Sequence, residues 1–150
     1  MIVFLDSEPA GLVTNPNGTP ETVACQIWLN SIINAGHQVV LPDIIDYEVR
    51  RELIRAKKRV GLDRLNQLHN EVTYVSVDKA TLYKAAEFWA IMRQRGRPTA
   101  NNKALDIDMI LAAQAWQYQN EGEFVIIATT NKKHLTEFVP AENWKDIHAI

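Results

Sequence analysis

Three short runs of apolar residues constrain the architecture before any motif is considered. They are Ile2-Val-Phe-Leu5, "HQVVLP" ending at Pro42, and "EFVIIATT" ending at Thr130. A strand with one wet face alternates apolar and polar residues, whereas these runs scarcely alternate, which suits strands buried inside a sheet. Helical patterns lie between them. Thr19-Pro20-Glu21 opens one helix, with Thr19 as cap and Pro20 in the first turn, and Val23, Ile27, Ile32 and Ile33 carry it to Gly36. "DIIDYEVRRELIRAKK" is amphipathic, with a stripe of Ile44, Ile45, Val49, Leu53 and Ile54. A short helix after Gly61 places Leu62, Leu65 and Leu68 together, and "VTYVSV" reads as a further strand. "DKATLYKAAEFWAIMRQRG" is a strong helix capped by Asp78 and stopped at Gly96. "EPAGLVTNPNGTPE" and "RPTANNKA" read as loops, and "DIHAI" as a closing edge strand. Strands alternating with helices make an α/β domain with a mainly parallel central sheet, spanning residues 1–150 as one unit.

The 150 residues suffice for one core, and 47% hydrophobic with 23% charged residues is an ordinary globular balance. The N-terminal apolar run ends at Asp6 with no basic segment before it, so it is a strand and not a secretory leader. No stretch reaches membrane-spanning length, and the expected location is cytoplasmic. The single cysteine, Cys25, lies in an apolar helical stretch as a packing residue. His37, His69, His134 and His148 are scattered without metal-ligand spacing. A net charge of −2 leaves no global nucleic-acid footprint. Locally, Arg50, Arg51, Arg55, Lys57, Lys58, Arg59 and Arg64 face only Glu52 and Asp63, and Arg93, Arg95 and Arg97 form a second cluster. Such clusters are either phosphate-binding surfaces or solvated helix faces.

Open parallel sheets form sites beyond the carboxyl ends of their strands. Beyond the first strand stand Asp6, Ser7 and Glu8; beyond the second, Glu48; beyond "EFVIIA", Thr129, Thr130 and Asn131. Asp106 and Asp108 open the helix that leads into that last strand. Each has a plain structural explanation: Asp6 as a turn residue, Glu48 as an acid of an amphipathic helix, Asp108 as a first-turn acid favoured by the helix dipole. Their convergence is the argument for a site. Clustered carboxylates repel unless a proton or cation neutralises them, and an oxygen-only donor set suits Mg²⁺ or Mn²⁺ better than zinc. The sequence holds no GxxxxGK[ST], GxGxxG or GxSxG motif. Metal-assisted chemistry on a phosphate remains.

These segments resemble the PIN-domain ribonucleases, and especially the VapC-type toxins of prokaryotic toxin–antitoxin pairs. "IVFLDS" resembles the first strand of that family and lands on Asp6 and Ser7. "LPDIIDYEVRREL" resembles the second strand and the helix carrying the glutamate, at Glu48, with Glu52 one turn on as its rival. "DMILAAQA" resembles the motif at Asp108, with Leu111 where the family has Ile, and "VIIATTNKKHL" lands on Thr129 and Asn131. The resemblance covers essentially the whole chain. It implies a three-layer α/β/α fold and a Mg²⁺-dependent endoribonuclease with RNA as substrate. It also implies an antitoxin protein as partner and a homodimer. Asp6, Glu48, Asp106 and Asp108 are then the metal-binding acids, with Asn131 beside them. Asn131 departs from the family's acid, and Asp106 is an extra carboxylate expected to supply the missing charge. The neutral Asn131 also keeps open a different class, a catalytically weakened binding module. A haloacid-dehalogenase type of phosphatase is disfavoured, because position 8 is Glu where that chemistry needs a second Asp. Trp28, Trp89, Trp116 and Trp144 are expected in the core or an interface.

Overall fold

The computed structural model describes residues 1–95 and 102–149. Its strands are β1 (Ile2–Leu5), β2 (Gln38–Pro42), β3 (Thr73–Val75), β4 (Val125–Thr129) and β5 (Ala141–Asn143). They form one sheet in the order β3-β2-β1-β4-β5, and every pairing is parallel. The helices are α1 (Ser7–Thr14), α2 (Pro20–Asn34), α3 (Asp43–Arg55), α4 (Arg59–Leu68), α5 (Lys79–Gln94) and α6 (Asn102–Asn120). The sheet with its flanking helices is a three-layer α/β/α domain. The apolar runs behave as their composition demands: all of β1 and Val39–Pro42 are buried. Among the described residues, no helix is long and apolar enough to cross a membrane.

The strand order places a crevice. From β1 the chain proceeds to β2 and β3 on one side, then returns to β4 and β5 on the other. The carboxyl ends of β1 and β4 are therefore adjacent where the order reverses, which is where open α/β sheets leave room for a ligand. Asp6 follows β1 there, and its N–H donates to the Ala128 carbonyl at 3.0 Å.

Four local expectations are corrected. "SEPAGLVT" is helix α1, not loop. Pro9 falls in its first turn, where the N–H it lacks would have no helical partner, and Asp6 caps it. The short helix α4 begins at Arg59, ahead of Gly61, whose missing Cβ admits Leu53: a Cβ there would lie 2.8 Å from Leu53 Cδ2. Helix α6 begins by Asn102, so Asp106 and Asp108 lie inside it and the first-turn dipole does not account for either. The last strand is Ala141–Asn143 rather than "DIHAI". That tail is held differently, by Trp28 Nε1 donating to the Ile147 carbonyl at 2.9 Å, with Trp28 and Trp144 in ring contact at 5.8 Å. Asp78 caps α5 as expected, accepting from the Thr81 N–H at 2.7 Å. Gly96, Arg97 and the first part of "RPTANNKA" lie outside the described residues, and the end of that segment belongs to α6.

Candidate active site

Asp6 is held through both carboxylate oxygens. Oδ1 accepts the Ser7 N–H at 2.7 Å, and Oδ2 accepts the Thr129 hydroxyl at 2.7 Å. Thr129 Oγ1 in turn accepts the Asn131 N–H at 3.0 Å, so one hydroxyl links the acid to the loop after β4. Thr129 is fully buried at the end of β4, so the end of one strand fixes the acid at the end of its neighbour. A second clasp joins the same elements, with Thr130 Oγ1 donating to Glu8 of α1.

Three acids from three elements act on one another here. Burial raises the Asp6 carboxyl above its ordinary value; the Thr129 and Ser7 bonds oppose this, and the charges of Glu48 and Glu8 add to it. Burial pushes Asp108 up to about 7, helped by the charges of Asp6 and Glu48. Two carboxyls whose charged forms are disfavoured by burial and by each other, beside a third acid, make a group that favours a cation. Glu48 has its side chain 25% exposed and Arg51 at 3.9 Å. Glu52, its rival, is in an exposed pair with Arg55 at 3.0 Å and is not among the charges acting on Asp6 or Asp108.

Asp106 does not join them. Successive helical residues turn by about 100°, so positions two apart look in nearly opposite directions. Asp108 turns to Asp6 and Glu48, while Asp106 is exposed beside Leu82, Ala85, Trp89 and Met109 in a groove between α5 and α6. The charge it was expected to lend the site is on the other face of the helix. Asn131 is exposed, and it reaches the site through its backbone N–H, bonded to Thr129 Oγ1. Glu8 is the rim acid that the sequence reading left out of the site, although it follows Asp6 by two residues.

The donor chemistry suits a hard cation. The converging side chains are carboxylates with hydroxyls behind them, and no His or Cys is among the groups acting on Asp6 or Asp108. Among the described residues, no three His, Cys, Asp or Glu side chains stand close enough to enclose an ion. Mg²⁺ keeps several of its waters and takes one or two protein carboxylates, so an open arrangement of this kind fits it better than a closed cage would.

The basic segment is less free than its composition suggests. Arg50 is held by Asp46, Arg51 lies near Glu48, and Arg55 pairs with Glu52. Arg64 Nη1 donates to the Asn15 carbonyl at 3.4 Å. Lys57, Lys58 and Arg59 are exposed at the turn between α3 and α4. In the second cluster Arg95 pairs with Glu137, Arg93 lies over the Trp89 ring at 5.5 Å, and Arg97 is outside the described residues.

A family model described as the PIN domain matches residues 5–136. No curated protein matches the sequence at a significant level. Solved structures share the fold. VapBC2 from Rickettsia felis, bound to a DNA fragment from its promoter, aligns with a TM-score of 0.70 at 15% identity, covering 96% of this chain and 99% of that chain. VapBC-1 from nontypeable Haemophilus influenzae aligns at 0.69 and 14% identity, covering 97% and 100%. DNA-bound VapBC from Salmonella typhimurium aligns at 0.66 and 14%, covering 96% and 98%.

Proposed function

The chain belongs to the PIN domain family, and from that premise we propose that it is a Mg²⁺-dependent endoribonuclease, the toxin of a toxin–antitoxin pair. Its partners are an antitoxin protein and a second copy of itself, and it acts on cytoplasmic RNA. The observation that carries this reading is the mutual influence of Asp6, Glu48 and Asp108 at the sheet's crevice. A toxin's place in a two-protein system is supported by the VapBC assemblies that share the fold.

Asp6, Asp108 and Glu48 would share the cation, one or two of them directly and the rest through its waters, with Asp106 left out by its position on the opposite side of α6. When bound, Mg²⁺ supplies Lewis-acid charge at a phosphoryl oxygen and favours ionisation of an attacking water. The protein's own part is orientation and proton handling. Ser7 N–H and Thr129 Oγ1 lock the plane of the Asp6 carboxylate, so its remaining lone pairs have one direction. Glu48, partly exposed and electrostatically coupled to the two carboxyls, would take the proton of an incoming water.

The purified chain, freed of any partner, should cut RNA with Mg²⁺ and stop when EDTA is added. Its expression should arrest growth, and Asp6→Ala should relieve the arrest with an unchanged circular dichroism spectrum. If wild type and Asp6→Ala are equally harmless and no RNA from a cellular pool is cut, the chain is a PIN-fold binding module, as the neutral Asn131 would then suggest.

A further inference from the structure

Beside the acids, α3 and the edge strand β3 carry a second cluster that the reaction does not use. Asp46 is only 6% exposed, and three bonds surround its carboxylate. Arg50 donates from Nε at 2.9 Å and from Nη2 at 3.2 Å, and His69 Nε2 lies at 2.7 Å. The His69 ring in turn lies under Tyr74, with centroids 4.5 Å apart and planes inclined by 24°. Tyr74 remains 42% exposed. One buried carboxylate thus fixes both a guanidinium and, through an imidazole, an outward aromatic ring.

The cluster continues across α3. Around the helix, with about 100° per residue, Arg50 is followed by Tyr47, Arg51 and Glu48. Tyr47 is 55% exposed, and the Arg51 guanidinium lies over its ring at 5.2 Å. Aromatic and cationic groups therefore alternate from Tyr74 over the outer face of α3 to the acid of the site. The sheet register gives the span. Tyr74 pairs with Leu41 and Phe4 pairs with Val40, so Tyr74 is level with Leu5, two strand spacings from β1 or roughly 10 Å.

We propose that this track, Tyr74–Arg50–Tyr47–Arg51, binds single-stranded RNA by stacking bases on the two tyrosines and pairing phosphates with the two arginines, and so leads the strand to Glu48. The proposal rests on the nuclease reading and adds how the substrate is held. Every base offers a face to an aromatic ring, which makes such a track tolerant of sequence and selective for unpaired strands. A duplex, whose bases are stacked on each other, gains nothing from it.

The test compares, in EDTA, the binding of a short fluorescent oligo(A) with that of an abasic ribose-phosphate oligomer of equal length and charge. Wild type should prefer the base-bearing oligomer by about tenfold or more. Tyr74→Leu and Tyr47→Leu should each remove a large part of that preference without changing the salt dependence, and the corresponding Phe variants should keep it. Arg51→Gln should weaken both oligomers alike and flatten the salt slope by about one. Equal binding of the two oligomers by wild type overturns the track, and so does a preference that survives in both Leu variants. The latter result would assign the tyrosines to a protein contact. Should Tyr74→Leu fail to fold, the wild-type comparison and Tyr47→Leu decide the matter. The two readings fail separately: the nuclease reading fails when wild type cuts no RNA with Mg²⁺, whereas the track fails with cleavage intact.

Discussion

At the scale of single residues, the contrast between Asp106 and Asp108 shows what a sequence conceals. Two acids separated by one residue look like a pair when they are imagined at the mouth of a helix. Once α6 extends back to Asn102, its rotation sends them to opposite faces. Asp108 pays the cost of facing other acids. Its folded value of about 7 stands above the roughly 3.9 of an unfolded aspartate. Between those values the folded protein keeps a proton that the unfolded chain has lost, so stability is complete below about pH 4 and declines as the pH rises through about 7. Asp108→Asn abolishes that decline. Thermal melts in EDTA should place the variant about 3–6 °C above wild type at pH 8, with the gap closing near pH 4. Asp106→Asn, on an exposed side chain, should stay within about 0.5 kcal/mol of wild type at both pH values. Coincident melts of wild type and Asp108→Asn at pH 8 would remove Asp108 from the company of Asp6 and Glu48.

At the scale of elements, legibility followed the source of each element's stability. β1, β2 and β4 could be read because burial within the sheet writes itself as an apolar run. Asp6, Glu48 and Thr129 could be placed with them, since each follows from a strand end or the helix after it. β5 could not be read in Ala-Glu-Asn, because its place comes from pairing with Ile127, Ala128 and Thr129. The cluster of Asp46, His69 and Tyr74 was likewise invisible, joined only by the packing of α3, α4 and β3. Helix α1 was hidden by Pro9 and Gly11, residues that usually mark loops. The structure turns that misreading into a prediction, for Gly11 lies inside the helix with nothing within 4 Å of a Cβ added to it. Gly11→Ala should stabilise the protein by about 0.5–1 kcal/mol, through the entropy glycine gives the unfolded chain. Urea unfolding measures this directly. A loss of stability would mean that Ser7–Thr14 is not the helix described.

For the molecule as a whole, a cation that binds the folded chain alone must stabilise it by mass action. The gain is about 2.7 kcal/mol at a hundred times the dissociation constant. Melting in a Mg²⁺ titration should follow that curve, and Asp108→Asn should abolish most of the rise; equal rises in both proteins would place the ion elsewhere. The sheet order has a further consequence, which concerns time. The central strand β1 is made first, yet one of its two neighbours is β4, and the hydroxyl that holds Asp6 belongs to Thr129. Pairings between such distant segments are slow to form. While a ribosome is still translating α6, the chain has its first acid but neither the strand nor the hydroxyl that sets it. Chain topology therefore imposes a delay between synthesis and competence, and a partner already present in the cell can meet the nascent chain before its site exists.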